Sequence, residues 1–326
     1  MRLCPVRFGD REFVVAVDEI AGDPIRDALK AGLFEYPPPM QSVLKWLRSD
    51  MVVVDAGAHI GTFALAAASI GARVLAFEAL PSNAAMLAAS AEANGFTQLE
   101  AINCALSDRN GELEFFSYGP FGLQRYAGIP AESTGTFVLA VSLDDALAAR
   151  NVEHVDLIKI DIEGGELFAL EGMKRLLTSP DPPALFIESN GYTLAFQNFT
   201  PNDLVARLES FGYSCYEILD RLRPFTSADF QYECVVDLFA MKGSLRDSLS
   251  PLIGAASTPD ETIAGVLRNA ASPNYAYRLY IVRALEGAPS AVLSHPEVVA
   301  ALRRLQADPH EEVRERAGRL LARQPS

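Results

Sequence analysis

The chain has 326 residues, 49% of them hydrophobic, with 42 acidic against 28 basic side chains and a formal net charge of −14. That length suits one large domain with a smaller one, and the acidic balance disfavours a nucleic-acid backbone as substrate. Four cysteines, Cys4, Cys104, Cys215 and Cys234, show no C-x-x-C spacing, so neither a zinc site nor a disulfide framework is expected. Residues 1–7 do not read as a secretory signal, and no apolar run is long enough to suggest a bilayer span. The expectation is a reduced, cytoplasmic protein.

Residues 1–50 read as a lead-in. Phe13–Val17 has strand character, Tyr36-Pro37-Pro38-Pro39 is a rigid extended break, and Val43, Leu44 and Leu47 keep helical spacing. This segment is expected to close over a ligand pocket, with Glu35 and Tyr36 as its contacts, or to serve as a plain hydrophobic anchor. From Val52 strands and helices alternate: strand 52–55, helix 61–70, strand 73–78, helix 82–94 stopped by Asn94-Gly95, and strand 100–105. Segments 112–118 and 136–142 suggest a hairpin or side sheet, separated by a long loop at 119–135. A central strand at 155–162, a helix at 166–177, a strand at 184–188 and a helix at 202–211 follow. Strands at 214–219 and 233–240 have a short connection and should pair antiparallel. Residues 51–243 therefore predict an α/β domain with a mostly parallel sheet and an antiparallel finish.

An internal repeat closes the chain. At an offset of 36, Ala264, Arg268, Ala271, Pro273, Arg278, Arg283 and Leu285 recur as Ala300, Arg304, Ala307, Pro309, Arg314, Arg319 and Leu321. Each copy reads as helix, Pro-containing turn, helix, and residues 308–314 resemble a HEAT repeat. Two copies seldom bury a core unaided. Residues 250–326 should therefore pack on the α/β domain, or on a second subunit or protein partner.

The most informative stretch is Val52-Val53-Val54-Asp55-Ala56-Gly57-Ala58-His59-Ile60-Gly61. A buried strand runs into a glycine-framed turn, where backbone can approach a ligand closely. A dinucleotide turn offers amides to a pyrophosphate. Here a carboxylate stands at the turn, which repels phosphate and suits a ligand carrying ammonium or sulfonium. That favours S-adenosylmethionine over NAD. Glu78, closing the run Val74–Phe77, is placed to hydrogen-bond ribose hydroxyls of either cofactor.

With these turns, Ala105-Leu106-Ser107, Ser142-Leu143-Asp144, Lys159-Ile160-Asp161-Ile162-Glu163-Gly164-Gly165-Glu166 and Phe186-Ile187-Glu188, residues 50–240 resemble the FkbM-type methyltransferase family. The resemblance implies a class I methyltransferase (Rossmann-like) fold: a mostly parallel seven-stranded sheet with an antiparallel last strand, here with a small all-α repeat tail. It implies S-adenosylmethionine as cofactor and, in most such proteins, O-methylation of a hydroxyl on a polyketide, sugar or other glycan. Asp55, Gly57, Ala58, His59, Gly61, Glu78, Ala79, Ala105, Leu106, Ser107 and Asp161 are the expected cofactor contacts. Two positions depart from the family pattern: His59 stands where Asn is usual, and Ala79 where Pro is usual.

Methyl transfer needs an aligned nucleophile and a group to take its proton. Lys159 and Asp161 share one face of the central strand. A lysine inside an apolar strand must be paired, and Asp161, Glu163 and Glu188 are the available partners. Asp161 is the leading candidate for the chemistry, with Glu163 and His59 as further candidates. Glu163 and Glu166 also suit the dipole of the helix that follows. Phe121, Tyr126 and Ile129, with Phe196 and Phe199 opposite, are expected to line the acceptor pocket or to anchor their loops. No metal-ligand cluster is evident. Two other readings use the same sequence: a nicotinamide-dependent oxidoreductase, which Asp55 disfavours, and an interaction protein with a vestigial methyltransferase fold that recruits partners through its repeats.

Overall fold

The computed structural model describes residues 1–19, 22–118, 121–126, 129, 132–218, 222–249, 253–254, 258–273 and 275–323. The lead-in opens with an antiparallel hairpin, β1 (Arg2–Phe8) and β2 (Arg11–Val17), followed by α1 (Pro24–Ala31) and α2 (Pro38–Trp46). Asp23 caps α1 by accepting the N–H groups of Ile25 and Arg26. The extended break expected across Tyr36–Pro39 ends sooner. Pro38 and Pro39 form the first turn of α2, where a missing N–H leaves nothing unsatisfied.

The parallel sheet begins with β3 (Val52–Ala56), α3 (Thr62–Ile70), β4 (Arg73–Glu78), α4 (Pro81–Asn94) and β5 (Leu99–Asn103). Helix α4 carries the hairpin: the Asn94 side chain accepts from the Val14 N–H (2.8 Å) and donates to its carbonyl (2.7 Å), and Ser90 Oγ accepts from the Ala16 N–H (2.8 Å). The chain then makes β6 (Ala105–Leu106), β7 (Gly111–Tyr118), β8 (Phe121–Gln124), β9 (Thr136–Val141), α5 (Leu143–Ala148) and β10 (Leu157–Ile160). After these come α6 (Glu166–Gly172), α7 (Lys174–Leu177), β11 (Ala184–Asn190), α8 (Gly191–Phe196), α9 (Pro201–Ser210), β12 (Ser214–Ile218), β13 (Leu222–Phe225) and β14 (Val235–Met241).

The main sheet has the order β13-β12-β14-β11-β10-β3-β4-β5. Strands β5, β4, β3, β10 and β11 are parallel, and β14 enters antiparallel between β11 and β12. Seven strands therefore follow the expected class I methyltransferase pattern. The eighth, β13, is a four-residue edge strand containing Pro224, which composition alone marks as a break. The strand order reverses between β3 and β10, the point at which open α/β sheets bind ligands. Two apolar layers pack the faces, one around Phe63, Leu65 and Leu87 and the other around Ile158, Leu170 and Leu204.

Strands β6, β9, β7 and β8 form a separate four-stranded sheet over one end of the main one. The expected loop at 119–135 thus contains a short strand, while residues 119–120, 127–128 and 130–131 lie outside the described set. No helix among the described residues is long and apolar enough to cross a membrane.

The tail comprises α10 (Gly243–Leu249), α11 (Pro259–Ala270), α12 (Tyr275–Ala284), α13 (Ser290–Leu293), α14 (Pro296–Leu305) and α15 (Glu311–Ala322). The sequence repeat has a structural counterpart. Arg278 Nη1 donates to the carbonyls of Ser272 (2.7 Å) and Pro273 (2.9 Å). At the same positions one period on, Arg314 Nη1 donates to those of Asp308 (2.7 Å) and Pro309 (2.8 Å). Each arginine ties down the turn of its own helix pair. The tail packs on the α/β body of the same chain, its core meeting Tyr192, Phe230 and Tyr232. Tyr280 donates to the Gln231 carbonyl (2.7 Å), and its ring fills the space a side chain on Gly191 would need. Gly191→Ala is therefore expected to cost about 1–3 kcal/mol, read as a lowered thermal midpoint. Ending the chain after Gly243 should expose Phe230 and Tyr232 and cause aggregation. Unchanged melting and solubility in both would show that the tail does not pack this way.

Candidate active site

The site is built on the ends of β3 and β10. Their register sets Lys159 directly beside Asp55. Lys159 is buried, with Nζ 3.4 Å from Asp55 Oδ1 and 3.3 Å from Asp161 Oδ2, and it donates to the Gly57 carbonyl at 3.3 Å. The partners are thus Asp161, as expected, and the cross-strand Asp55, rather than Glu163 or Glu188. Burial works against the ammonium, but the charges of Asp161 and Asp55 outweigh it and hold Lys159 protonated.

After β3 the backbone turns through Gly57, at φ 77, against the end of β10; a Cβ there would overlap the Asp161 carbonyl. The N–H groups of Gly57 and Ala58 both bond the Phe77 carbonyl, at 3.0 and 2.9 Å. His59, at φ 53, donates its N–H to Glu78 Oε2 at 2.8 Å. Glu78 Oε1 accepts from the Leu80 N–H (2.9 Å) and Asn83 Nδ2 (3.3 Å). The His59 ring lies against the lead-in, with Nε2 2.9 Å from Arg26 Nη1 and 3.1 Å from Asp23 Oδ2.

These elements enclose a cavity of about 270 Å³. Its apolar wall is Phe77, Leu80, Ala105, Leu106 and Phe115; Gly57, His59, Glu78, Ala79 and Gln124 add backbone and polar groups; Asp161, Glu163 and Glu188 form an acidic end. Several expected residues stand behind this lining. Asp55 is fully buried on Lys159, Ala58 and Gly61 shape the turn, and Ser107 is buried, bonded to Asp108. Glu35 and Tyr36 are not among the lining residues. They border a separate cleft with Arg7 and Phe8, and the Tyr36 hydroxyl donates to the Thr62 carbonyl. The lead-in reaches the cavity through Ile25 instead. The reason is α1, a helix whose ends Asp23-Pro24 and Gly32 mark in the sequence.

The loop aromatics brace one another. Tyr126 stacks on Phe196 at 4.6 Å between ring centroids, and Phe168 meets Phe199 edge-on. Phe121 lies in β8, and the Ile129 N–H bonds the Tyr126 carbonyl. Asn83, Phe115 and Gln124 line the cavity without a sequence signal, since each depends on how a neighbouring element folds over it.

The acidic end is crowded. Burial, then the charges of Asp161 and Glu166, push Glu163 up to about 8. Burial lifts Glu166 to about 7 although it accepts from the Ile162 and Gly164 N–H groups. Burial and neighbouring carboxylates raise Asp237 to about 6 and Glu188 well above its usual range. Among the described residues, no group of three or more His, Cys, Asp or Glu side chains is arranged to hold a metal ion.

Residues 55–215 match the model of the methyltransferase FkbM domain. The chain is 28% identical over 137 residues to the hexuronic acid methyltransferase AglP of Haloferax volcanii, a stretch covering 42% of this chain and 56% of that relative. The chain thus spans little more than half that protein's length. Among solved structures, a precorrin-6y C5,15-methyltransferase from Geobacter metallireducens aligns at 13% identity, covering 71% of this chain and 94% of that one, with a TM-score of 0.38. A SAM-dependent methyltransferase from Agrobacterium tumefaciens aligns at 12%, covering 73% and 69%, with a TM-score of 0.40. The family match indicates S-adenosylmethionine as the cofactor. The cavity suits it chemically: a carboxylate for a ribose diol, an apolar wall for a base, and carboxylates at the end where a cation would lie.

The raised carboxyls set a pH dependence. A folded-state value above the usual 4.5 means that the folded protein holds a proton that the unfolded chain releases. Stability should therefore fall as pH rises from about 4.5 to about 8, with Glu166 and Asp237 acting in the same direction. The melting temperature of the cofactor-free protein should drop between pH 6 and 8.5, and drop less in Glu163→Gln. Equal slopes would remove Glu163 as a source.

Proposed function

We propose that this chain, an S-adenosylmethionine-dependent methyltransferase whose residues 55–215 match the FkbM domain, methylates a hydroxyl of a small molecule, either polyketide-like or a sugar or glycan. One observation carries the reading: Asp161 opens onto the cavity with about a third of its side chain exposed, while Lys159 grips it from behind. A carboxylate so held is aimed at whatever sits against the cofactor turn. The name of the partial relative, which acts on a hexuronic acid, adds support for a sugar acceptor.

When bound, the cofactor supplies an electrophilic methyl group. Glu78 and the turn 57–61 would hold its nucleoside, and the acidic end its charged portion. Asp161 accepts the hydroxyl hydrogen bond, orients the oxygen, and takes the proton as the new bond forms. Lys159, 3.3 Å from Asp161 Oδ2, holds that carboxylate in place before the transfer. Glu163 and Glu188, which bind protons more readily than ordinary glutamates, border the same space and provide an exit for that proton.

Asp161→Asn preserves shape but removes the proton acceptor. Turnover should fall about 10²–10⁴-fold, with S-adenosylhomocysteine affinity changed only a few-fold, in an assay of S-adenosylhomocysteine release over a panel of neutral sugars, uronic acids and polyketide alcohols. Wild-type turnover in this variant would assign the proton elsewhere.

A further inference from the structure

The least expected feature near the cavity is a buried arginine from the lead-in. Arg26 has no solvent exposure, yet its guanidinium meets four side chains on three separate pieces of chain. Nε donates to Asp18 Oδ1 (2.8 Å), Nη1 bonds Asp23 Oδ2 and lies 2.9 Å from His59 Nε2, and Nη2 donates to Asn83 Oδ1 (2.7 Å). The contacts continue inward. With Oδ1 committed to Arg26, the Asn83 amide must turn its Nδ2 toward Glu78, and Nδ2 donates to Glu78 Oε1 at 3.3 Å. Glu78 Oε2 takes the His59 N–H, and the His59 ring returns to Arg26. The result is a closed ring, Arg26–Asn83–Glu78–His59–Arg26.

Three members of this ring, His59, Glu78 and Asn83, line the cavity, as does Ile25 beside Arg26, while Arg26 itself stands behind it. A buried guanidinium is costly unless every neighbour repays it, and replacing such a group with apolar packing is often neutral for stability. The arrangement also accounts for His59, where the resembling family usually has Asn: the longer imidazole reaches Arg26 and Asp23 in the lead-in.

We infer that Arg26 is a positioning residue for the cofactor: acting through Asn83 and His59, it fixes the Glu78 carboxylate and the 57–61 turn, so that the N-terminal helix is an integral part of the nucleoside site. This rests on the cofactor assignment and is independent of the acceptor. The guanidinium supplies donors to Asn83, Asp23 and Asp18 at fixed angles, and a lysine ammonium cannot span the same set.

The test is calorimetric titration of S-adenosylhomocysteine into the full chain carrying Arg26→Lys, Asn83→Ala, or both, beside Arg278→Lys in the remote tail as a control for lost stability. Arg26→Lys and Asn83→Ala should each weaken binding about 10- to 100-fold. The double variant should be no weaker than the worse single by more than about twofold, because one ring is broken once. Arg278→Lys should bind like wild type. Wild-type affinity in a folded Arg26→Lys, losses that multiply in the double variant, or an equal loss in Arg278→Lys would each overturn the inference. Should Arg26→Lys fail to fold, Asn83→Ala decides alone, and unchanged affinity there overturns it. If the wild-type chain itself takes up no S-adenosylhomocysteine, the cofactor assignment falls and the inference falls with it, an outcome distinct from a wild type that binds and a variant that binds equally.

Discussion

The structure turns on a single buried charge. Lys159 sits inside a parallel sheet among apolar neighbours, where an unpaired ammonium is prohibitively costly. It is tolerated because β3 and β10 run side by side in a register that places Asp55 next to it, and because Asp161 follows two residues later on the same face. A slip of one residue would turn Lys159 and Asp161 together to the opposite face and leave Asp55 buried without its cation. The lysine therefore specifies the pairing at the point where strand order reverses, and that pairing brings the glycine turn after β3 and Asp161 together.

The remainder of the site carries more negative charge than Lys159 can balance. Glu163, Glu188, Glu166 and Asp237 crowd the same end, and burial with mutual repulsion makes each hold its proton more tightly. Empty, such a site favours protonated carboxyls, and a cationic ligand placed there would favour their ionised forms. It also places groups able to exchange protons near neutral pH beside Asp161. At the opposite end, beside Glu78, the buried charge is paired directly: the Arg26 guanidinium is held between the carboxylates of Asp18 and Asp23.

The flanking segments support this centre from two sides. The hairpin β1–β2 and helix α1 are fastened to α4 and to the turn after β3, while the tail packs on α8 and the stretch before β14. Helix α8 in turn stacks Phe196 on Tyr126, which closes the side sheet against the body. Both flanks thus bear on the pocket through elements of the central fold.

Much of this was legible in one dimension. The run into Asp55-Ala-Gly57 is a strand meeting a turn, because β-branched residues fill a pleated core and glycine opens left-handed backbone. Lys159 announced a partner because buried charge must be paired, and the 36-residue period gave two helical pairs whose turns are held by equivalent arginines. Sequence alone thus determined the α/β class, the glycine turn after the first strand of the parallel sheet, the acids of the central strand and the repeat. It did not determine which carboxylate met Lys159, that Tyr36 faces away while Ile25 faces in, or that Arg26 reaches Glu78 through Asn83. Those facts are contacts between residues far apart in the chain, set by strand register and by the docking of the lead-in on α4. Local propensity and spacing report the elements, whereas only packing fixes which faces of two elements meet.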